Sequence, residues 1–271
     1  MSLRGASADA FAALDAELET ALGSASGASV SKVGDDLFAV SVTLRSEGAL
    51  RRFASDGSIP TEAKTGLVRE VFGGKIDEIT LGLLSTAVSH KWTATRDLAD
   101  TLEHLGVVAI VRSAGPDAGR LSDELFELAQ LVKKHPELRD ALSDPVRSLE
   151  DKAALVHGLL DGRALPATTT LAVKALSGTH RTVGVALEQF QRTAAEVHGQ
   201  GVATVRAARE LSGPERERLQ QALTQQYGRR VHLNLVVDPS VLGGIRVEIG
   251  DDVIDGTVSS RLDDARRRLV G

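Results

Sequence analysis

The chain has 271 residues, 42% of them hydrophobic, enough to bury the core of one large domain or two ordinary ones. Its 25% charged fraction and formal net charge of -5 leave no basic excess to hold a polyanion, so nucleic acid is a poor partner. There is no cysteine, which excludes disulfides, thiolate metal sites and cysteine nucleophiles and fits a reducing compartment such as the cytoplasm.

The first residues, MSLRGASADAFAALDAEL, carry acidic side chains where a signal peptide needs an apolar run. The longest apolar stretch near the middle, Val107 to Val111, falls far short of the roughly 20 residues of a spanning helix. Neither export nor membrane insertion is expected. Through residue 200, Ala, Leu, Glu, Arg and Val recur at three- and four-residue spacing, which predicts helices. Turn and cap residues at 23–29, 55–60, 72–75, 114–119, 136, 143–145, 161–166 and 177–180 divide them into about ten.

An internal repeat organises this half. Between positions 50 and 89, thirteen of forty residues match those 88 places later, among them Ser55/Ser143, Asp56/Asp144, Lys64/Lys152, Gly74/Gly162 and Thr80/Thr168. A composition rich in Ala and Leu raises chance matches at apolar positions, but not matches of Ser-Asp, Lys and Gly at one offset; a duplicated small helical bundle is expected.

After Gly199 the pattern changes. Ala203, Val205 and Ala207 alternate with Thr204 and Arg206, predicting a strand. Ser212, Pro214 and Glu215 form a capping signature for a helix with Leu219, Leu223 and Tyr227 on one face. A second strand sets Val231, Leu233, Leu235 and Val237 against His232 and Asn234, and Pro239 ends it. Then come strand Ile245–Ile249, a turn at Gly250–Asp252, a short strand through Ile254, and a helix whose Val258, Leu262, Ala265 and Leu269 share a face. The expected class is α+β: a helical region divided into 1–93 and 94–200, then a small mixed domain at 201–271.

Catalytic readings are weak. Gly243-Gly244 precede a strand, whereas phosphate cradles put their glycines between a strand and a helix, so a tight turn or bulge with no room for a side chain is preferred. Asp251-Asp252 suit a turn, and Asp255 is placed to cap the last helix, whose Arg266-Arg267-Arg268 complements its dipole. The seven histidines never fall within four residues of one another, which gives no metal motif. Trp92 and Tyr227 read as packing residues. No catalytic, cofactor or metal residue is assigned.

The segment VDPSVLGGIRVEIGDDVIDGTVSSRLDDARRRL, residues 237–269, closely resembles the C-terminal signature of the ATP synthase delta subunit family, which includes the mitochondrial oligomycin-sensitivity-conferring protein. The signature residues are Asp238, Pro239, Leu242, Gly243, Gly244, Gly250, Asp251, Ile254, Asp255, Gly256 and Leu262. Upstream segments 123–145, 202–212 and 219–239 are similar to family segments in the same order, so the usual family length covers about 94–271. The additional N-terminal region resembles the long actinobacterial form.

This resemblance implies a non-catalytic peripheral-stalk subunit on the cytoplasmic face of the cell membrane, attached to the membrane only through its complex. Its helical part would hold the N-terminal helix of an alpha subunit of the catalytic head, through Leu98, Leu102 and Leu105 together with Leu171 and Lys174 of helix 166–178. Its C-terminal domain would hold the end of the b stalk. No cofactor is implied. A nucleotide-using enzyme and a helical scaffold unrelated to energy coupling remain the alternatives at this stage.

Overall fold

The computed structural model describes residues 3–23, 25–250, 252–260, 262, 266 and 267. They form two compact units, Met1–Ala194 and Ala195–Gly271. Residues 1–93 and 94–194 thus share one unit, and the second unit begins six residues before the expected 201, inside a helix.

The first unit is helical: α1 (Ala6–Leu22), α2 (Gly27–Ser46), α3 (Gly48–Ser55), α4 (Thr61–Phe72), α5 (Glu78–Ser89), α6 (Thr95–Ser113), α7 (Ala118–Lys134), α8 (Pro136–Ser143), α9 (Leu149–Leu160), α10 (Pro166–Lys174) and most of α11 (Val183–Val197). A single 3-10 turn at Gly115–Asp117 leads into α7. Most breaks follow the turn residues read from the sequence, because Gly and Pro cannot continue these helices without cost; the breaks at Glu47 and at 90–94 are not among them.

The 88-residue repeat is visible in three dimensions. Helices α3 and α4 become α8 and α9 at that offset with identical lengths. Gly74 and Gly162, each just past a helix end, take left-handed backbone angles of φ 71° and 73°. The carboxylates of Asp56 and Asp144 each accept the N–H two residues on, at 2.8 Å in both cases. The repeat also reaches further than the sequence matches. Asp36 of α2 accepts the N–H of Asp77 at the start of α5 at 2.7 Å, while Glu124 of α7 accepts the N–H of Leu165 at the start of α10 at 2.9 Å. Each carboxylate is paired one turn back, Lys32 with Asp36 and Arg120 with Glu124. Every member of the second set lies 88 residues after its counterpart, yet only the chemistry is kept.

The copies are not side by side. Helix α6, the counterpart of α1, packs against α1, α2 and α3 of the first copy and α7 and α10 of its own. It is buried on all sides from Leu98 to Val111, apart from Asp100 and His104, which are partly covered. Helix α1 buries only one stripe, with Ala10, Leu14, Leu18 and Leu22 in the core. A helix buried all round belongs in an interior, whereas one with a single buried stripe belongs at a surface.

The second unit contains β1 (Gly201–Ala207), α12 (Gly213–Tyr227), β2 (Val231–Val237), β3 (Ile245–Ile249) and β4 (Asp252–Asp255). The sheet order is β2-β1-β3-β4. Strands β1 and β2 are parallel, with α12 as the connection long enough to allow that pairing; β3 is antiparallel to β1, and β4 to β3. Ala203, Val205, Leu223, Val231, Leu233, Val247 and Ile249 form the core, flanked by Leu219, Tyr227 and Leu235. Ser212 and Glu215 make the expected capping box, and Arg209 pairs with Glu215 at 2.7 Å. Two details differ from expectation. Asn234, on the opposite face of β2 from Val231 and Leu233, is buried as they are, although its amide is polar. The last helix is capped not by Asp255 but by Thr257, whose hydroxyl accepts the N–H of Ser260 at 3.2 Å; Asp255 instead accepts the Thr257 N–H and O–H and so orients that cap. Residues 258–260, 262, 266 and 267 are helical, while Asp251, Ala265, Arg268 and Leu269 lie outside the described residues.

Candidate partner-binding surfaces

The five residues that the resemblance offers for an alpha-subunit helix are engaged inside the first unit. Leu98, Leu102, Leu105 and Leu171 have no exposed surface. Lys174 reaches α2, pairing with Asp35 at 2.9 Å and lying 5.6 Å over the Phe38 ring. The cause is the repeat itself: α2 of the first copy covers the face that a partner helix would need.

Linear spacing also concealed a cluster beside α6. Glu103, buried, pairs with Arg45 of α2 and accepts the N–H of Thr179 through both oxygens, at 3.3 and 3.1 Å. Asp100 pairs with the same arginine at 3.1 Å and accepts the Thr179 hydroxyl at 3.0 Å. Together they pin the turn between α10 and α11 to α6, as charge-assisted hydrogen bonds do well where water is scarce. Beneath that turn is a cleft of about 260 Å³ lined by His104, Val107, His180 and Phe190. Burial holds the His104 imidazole well below its ordinary range, to about 4, and the ring meets Phe11 edge-on at 5.3 Å. These residues lie 55 to 93 positions apart from their partners on other elements, beyond any local motif. The one available signal was the apolar run Val107–Val111, which marks a stretch of helix buried on all sides.

In the second unit the signature glycines Gly243 and Gly244 lie against the 256–258 segment. Gly243 and Gly244 have φ of 142° and 78°, and a Cβ on Gly244 would fall 2.3 Å from the Gly256 carbonyl oxygen. Gly243 accepts the Val258 N–H at 3.0 Å, and the Gly256 N–H donates to Ile245 at 2.9 Å. Asp238 accepts the N–H and O–H of Ser240, holding the turn at Pro239. Gly250 closes the β3–β4 turn at φ 57°. Gly244 thus sits at a close backbone crossing, and neither glycine has room for a side chain, where the sequence reading preferred a tight turn or bulge. Apolar side chains stand out around it: Leu242 is 79% exposed, Leu262 62%, Val253 53%, and Val258 and Ile254 are also exposed. Isolated exposed leucines are ordinary; here five exposed apolar residues fall between 242 and 262.

A two-unit protein, helical and then mixed α+β, is the class these observations define. The family model described as "ATP synthase delta (OSCP) subunit" matches residues 108–269. Three curated relatives carry the name ATP synthase subunit delta: from Nocardioides sp., 56% identical over all of this chain and 98% of its own; from Kineococcus radiotolerans, 44% identical over 92% and 91%; and from Streptomyces avermitilis, 39% identical over 100% of both. The chain belongs to the ATP synthase delta (OSCP) subunit family. The match begins inside α6, so the first copy lies outside the family model, while the Nocardioides and Streptomyces relatives span it.

Proposed function

We propose that this chain, a peripheral-stalk subunit of the F-type ATP synthase, divides its two partners between its two units: the helical unit holds the N-terminal helix of an alpha subunit, and the C-terminal unit holds the end of the b stalk. The work is mechanical. Proton flow turns the rotor, and the head must be kept from turning with it; two grips on separately folded units resist that torque without a reactive group in this chain.

The observation that carries the reading is the division of the chain at Ala194/Ala195 into two compact units. The second presents Leu242, Val253, Val258 and Leu262, suited to a dry grip on an amphipathic stalk helix. Residues 1–200 carry a net charge of -6 against +1 for 201–271, so a basic partner is drawn to the helical unit. No helix among the described residues is long and apolar enough to cross a membrane, which agrees with attachment at the cytoplasmic face through the complex.

Truncation after Gly199, compared with the full chain in pull-downs from membranes, tests the division. Loss of b with the alpha subunit retained is the expected result. Loss of both would show one inseparable binding body, and loss of neither would remove the C-terminal unit from the stalk joint.

A further inference from the structure

The cleft beneath the α10–α11 turn has an equivalent place in the first copy, and the two are built differently. The 88-residue offset carries α1 and α6 onto α6 and α11, so His180 stands where Trp92 stands and Thr193 where Leu105 stands. In the first copy the Trp92 indole is half-buried, its N–H donating to the Ala87 carbonyl at 2.9 Å, and Leu105 is fully buried. In the second, a smaller imidazole and a threonine occupy those places, and about 260 Å³ of space lies between α6 and α11. The chain's own indole is therefore a guide to the shape that fits.

The walls are apolar and the rim is acidic. Val107 and Phe190 are buried, and Phe190 meets the His180 ring edge-on at 5.8 Å and the Phe38 ring at 6.1 Å, which fixes its plane. His104 is neutral near pH 7, because burial holds it well below its ordinary range, so it does not repel a cation. Asp100 and Glu103 stand at the rim where the first copy has Ala12 and Asp15, and Arg45 offsets only one of the two charges. Asp100 spends its Oδ1 on Arg45 and on the Thr179 hydroxyl, which leaves its second oxygen to accept from a ligand. In a half-enclosed site such a carboxylate selects a cation more strongly than it would on open surface, and an aromatic wall favours the same charge.

We propose that this cleft binds a small aromatic amine, its ring between Val107 and Phe190 in the place equivalent to the Trp92 side chain and its ammonium group donating to Asp100. A few converging polar groups at the mouth of an apolar cleft set the orientation of such a ligand. Thr179 and His180 of the turn and Asp100 of α6 line the same space, so the bound molecule braces the turn against α6 beside the hydrogen bonds already there.

The test uses the full chain and tryptamine as probe, with indole-3-acetate and butylamine for comparison. In titration calorimetry tryptamine should bind at about millimolar concentration or tighter, as its size allows, and each comparison compound about tenfold or more weakly. Of the seven histidines, tryptamine should shift the ring-proton signals of His104 and His180, identified by their loss in His104→Gln and His180→Gln. His180→Trp and Thr193→Leu restore the residues of the first copy and should each abolish binding. Asp100→Asn keeps an acceptor for Thr179 and should weaken tryptamine about tenfold while narrowing its lead over indole-3-acetate. No saturable heat or histidine shift up to about 10 mM tryptamine, equal binding of indole-3-acetate, or undiminished binding to both filled variants overturns the proposal. Should a filled variant melt early, the wild-type histidine shifts and Asp100→Asn decide.

Discussion

Gly34 of α2 and Gly106 of α6 meet where the two copies of the repeat interlock, each lacking the side chain that the other's backbone would strike. A Cβ on Gly34 would lie 3.0 Å from the Gly106 carbonyl oxygen and 2.5 Å from Ile110 Cγ1; one on Gly106 would lie 3.1 Å from the Gly34 oxygen and 2.9 Å from Phe38 Cδ2. Elsewhere in a helix, Gly→Ala gains about 1 kcal/mol from propensity. Here overpacking, typically 1–3 kcal/mol, should win, so Gly34→Ala and Gly106→Ala should lower the urea midpoint. Gly66, in α4 with nothing within 4 Å of its Cβ, is the contrast, and the repeat already places Ala154 at the equivalent site. Gly66→Ala should raise the midpoint, by about 0.5–1 kcal/mol of stability.

The glycine crossing in the C-terminal unit allows no such relief. Gly244→Val would combine a left-handed backbone angle with a Cβ 2.3 Å from the Gly256 oxygen. It should cost about 3 kcal/mol, at the upper end for backbone strain. Amide exchange would show the loss in β3 and the 256–258 segment and leave the helical unit's protection in place.

The paired straps should behave as a matched set. Removing Asp36 deprives the Asp77 N–H of its acceptor; removing Glu124 deprives both the Leu165 N–H and the buried Thr168 hydroxyl. Asp36→Ala should cost about 1 kcal/mol and Glu124→Ala about 2, measured by chemical denaturation, since each lost partner strands a polar group. Equal costs would show that the Thr168 bond adds nothing.

Acid should weaken the helical unit through His104. Its folded-state affinity for protons is depressed, with the imidazole at about 4 against 6.5 when exposed, so the unfolded chain binds more protons between those values. Stability therefore falls as pH drops from about 6.5 toward 4, by up to about 3 kcal/mol from this group. His104→Gln should flatten the dependence of the urea midpoint on pH over that window.

How much of this could be read from the chain depended on the range of the interaction. The α12 capping box, the alternation in β1 and the glycine pair are local, and each specified its element. The thirteen matches marked the repeat only where identity survived; Lys32/Arg120 and Asp36/Glu124 keep charge while changing residue, and Asp77/Leu165 share only a backbone N–H. Leu98, Leu102 and Leu105 show the limit most clearly. Their spacing establishes an apolar face, but only the tertiary arrangement shows that α2 covers it, and the Arg45–Glu103 pair spans 58 residues for the same reason.

The central position of α6 has a consequence for how such a chain can change over generations. Two bundles joined end to end could lose either one and leave the other intact. Once the first helix of the second copy is walled in by the first, deleting the earlier copy would strip α6 of its cover and bare Gly106, Phe190's neighbourhood and the leucines around them to water. The added segment has become a part that cannot be returned, and a lineage carrying it is committed to the longer subunit.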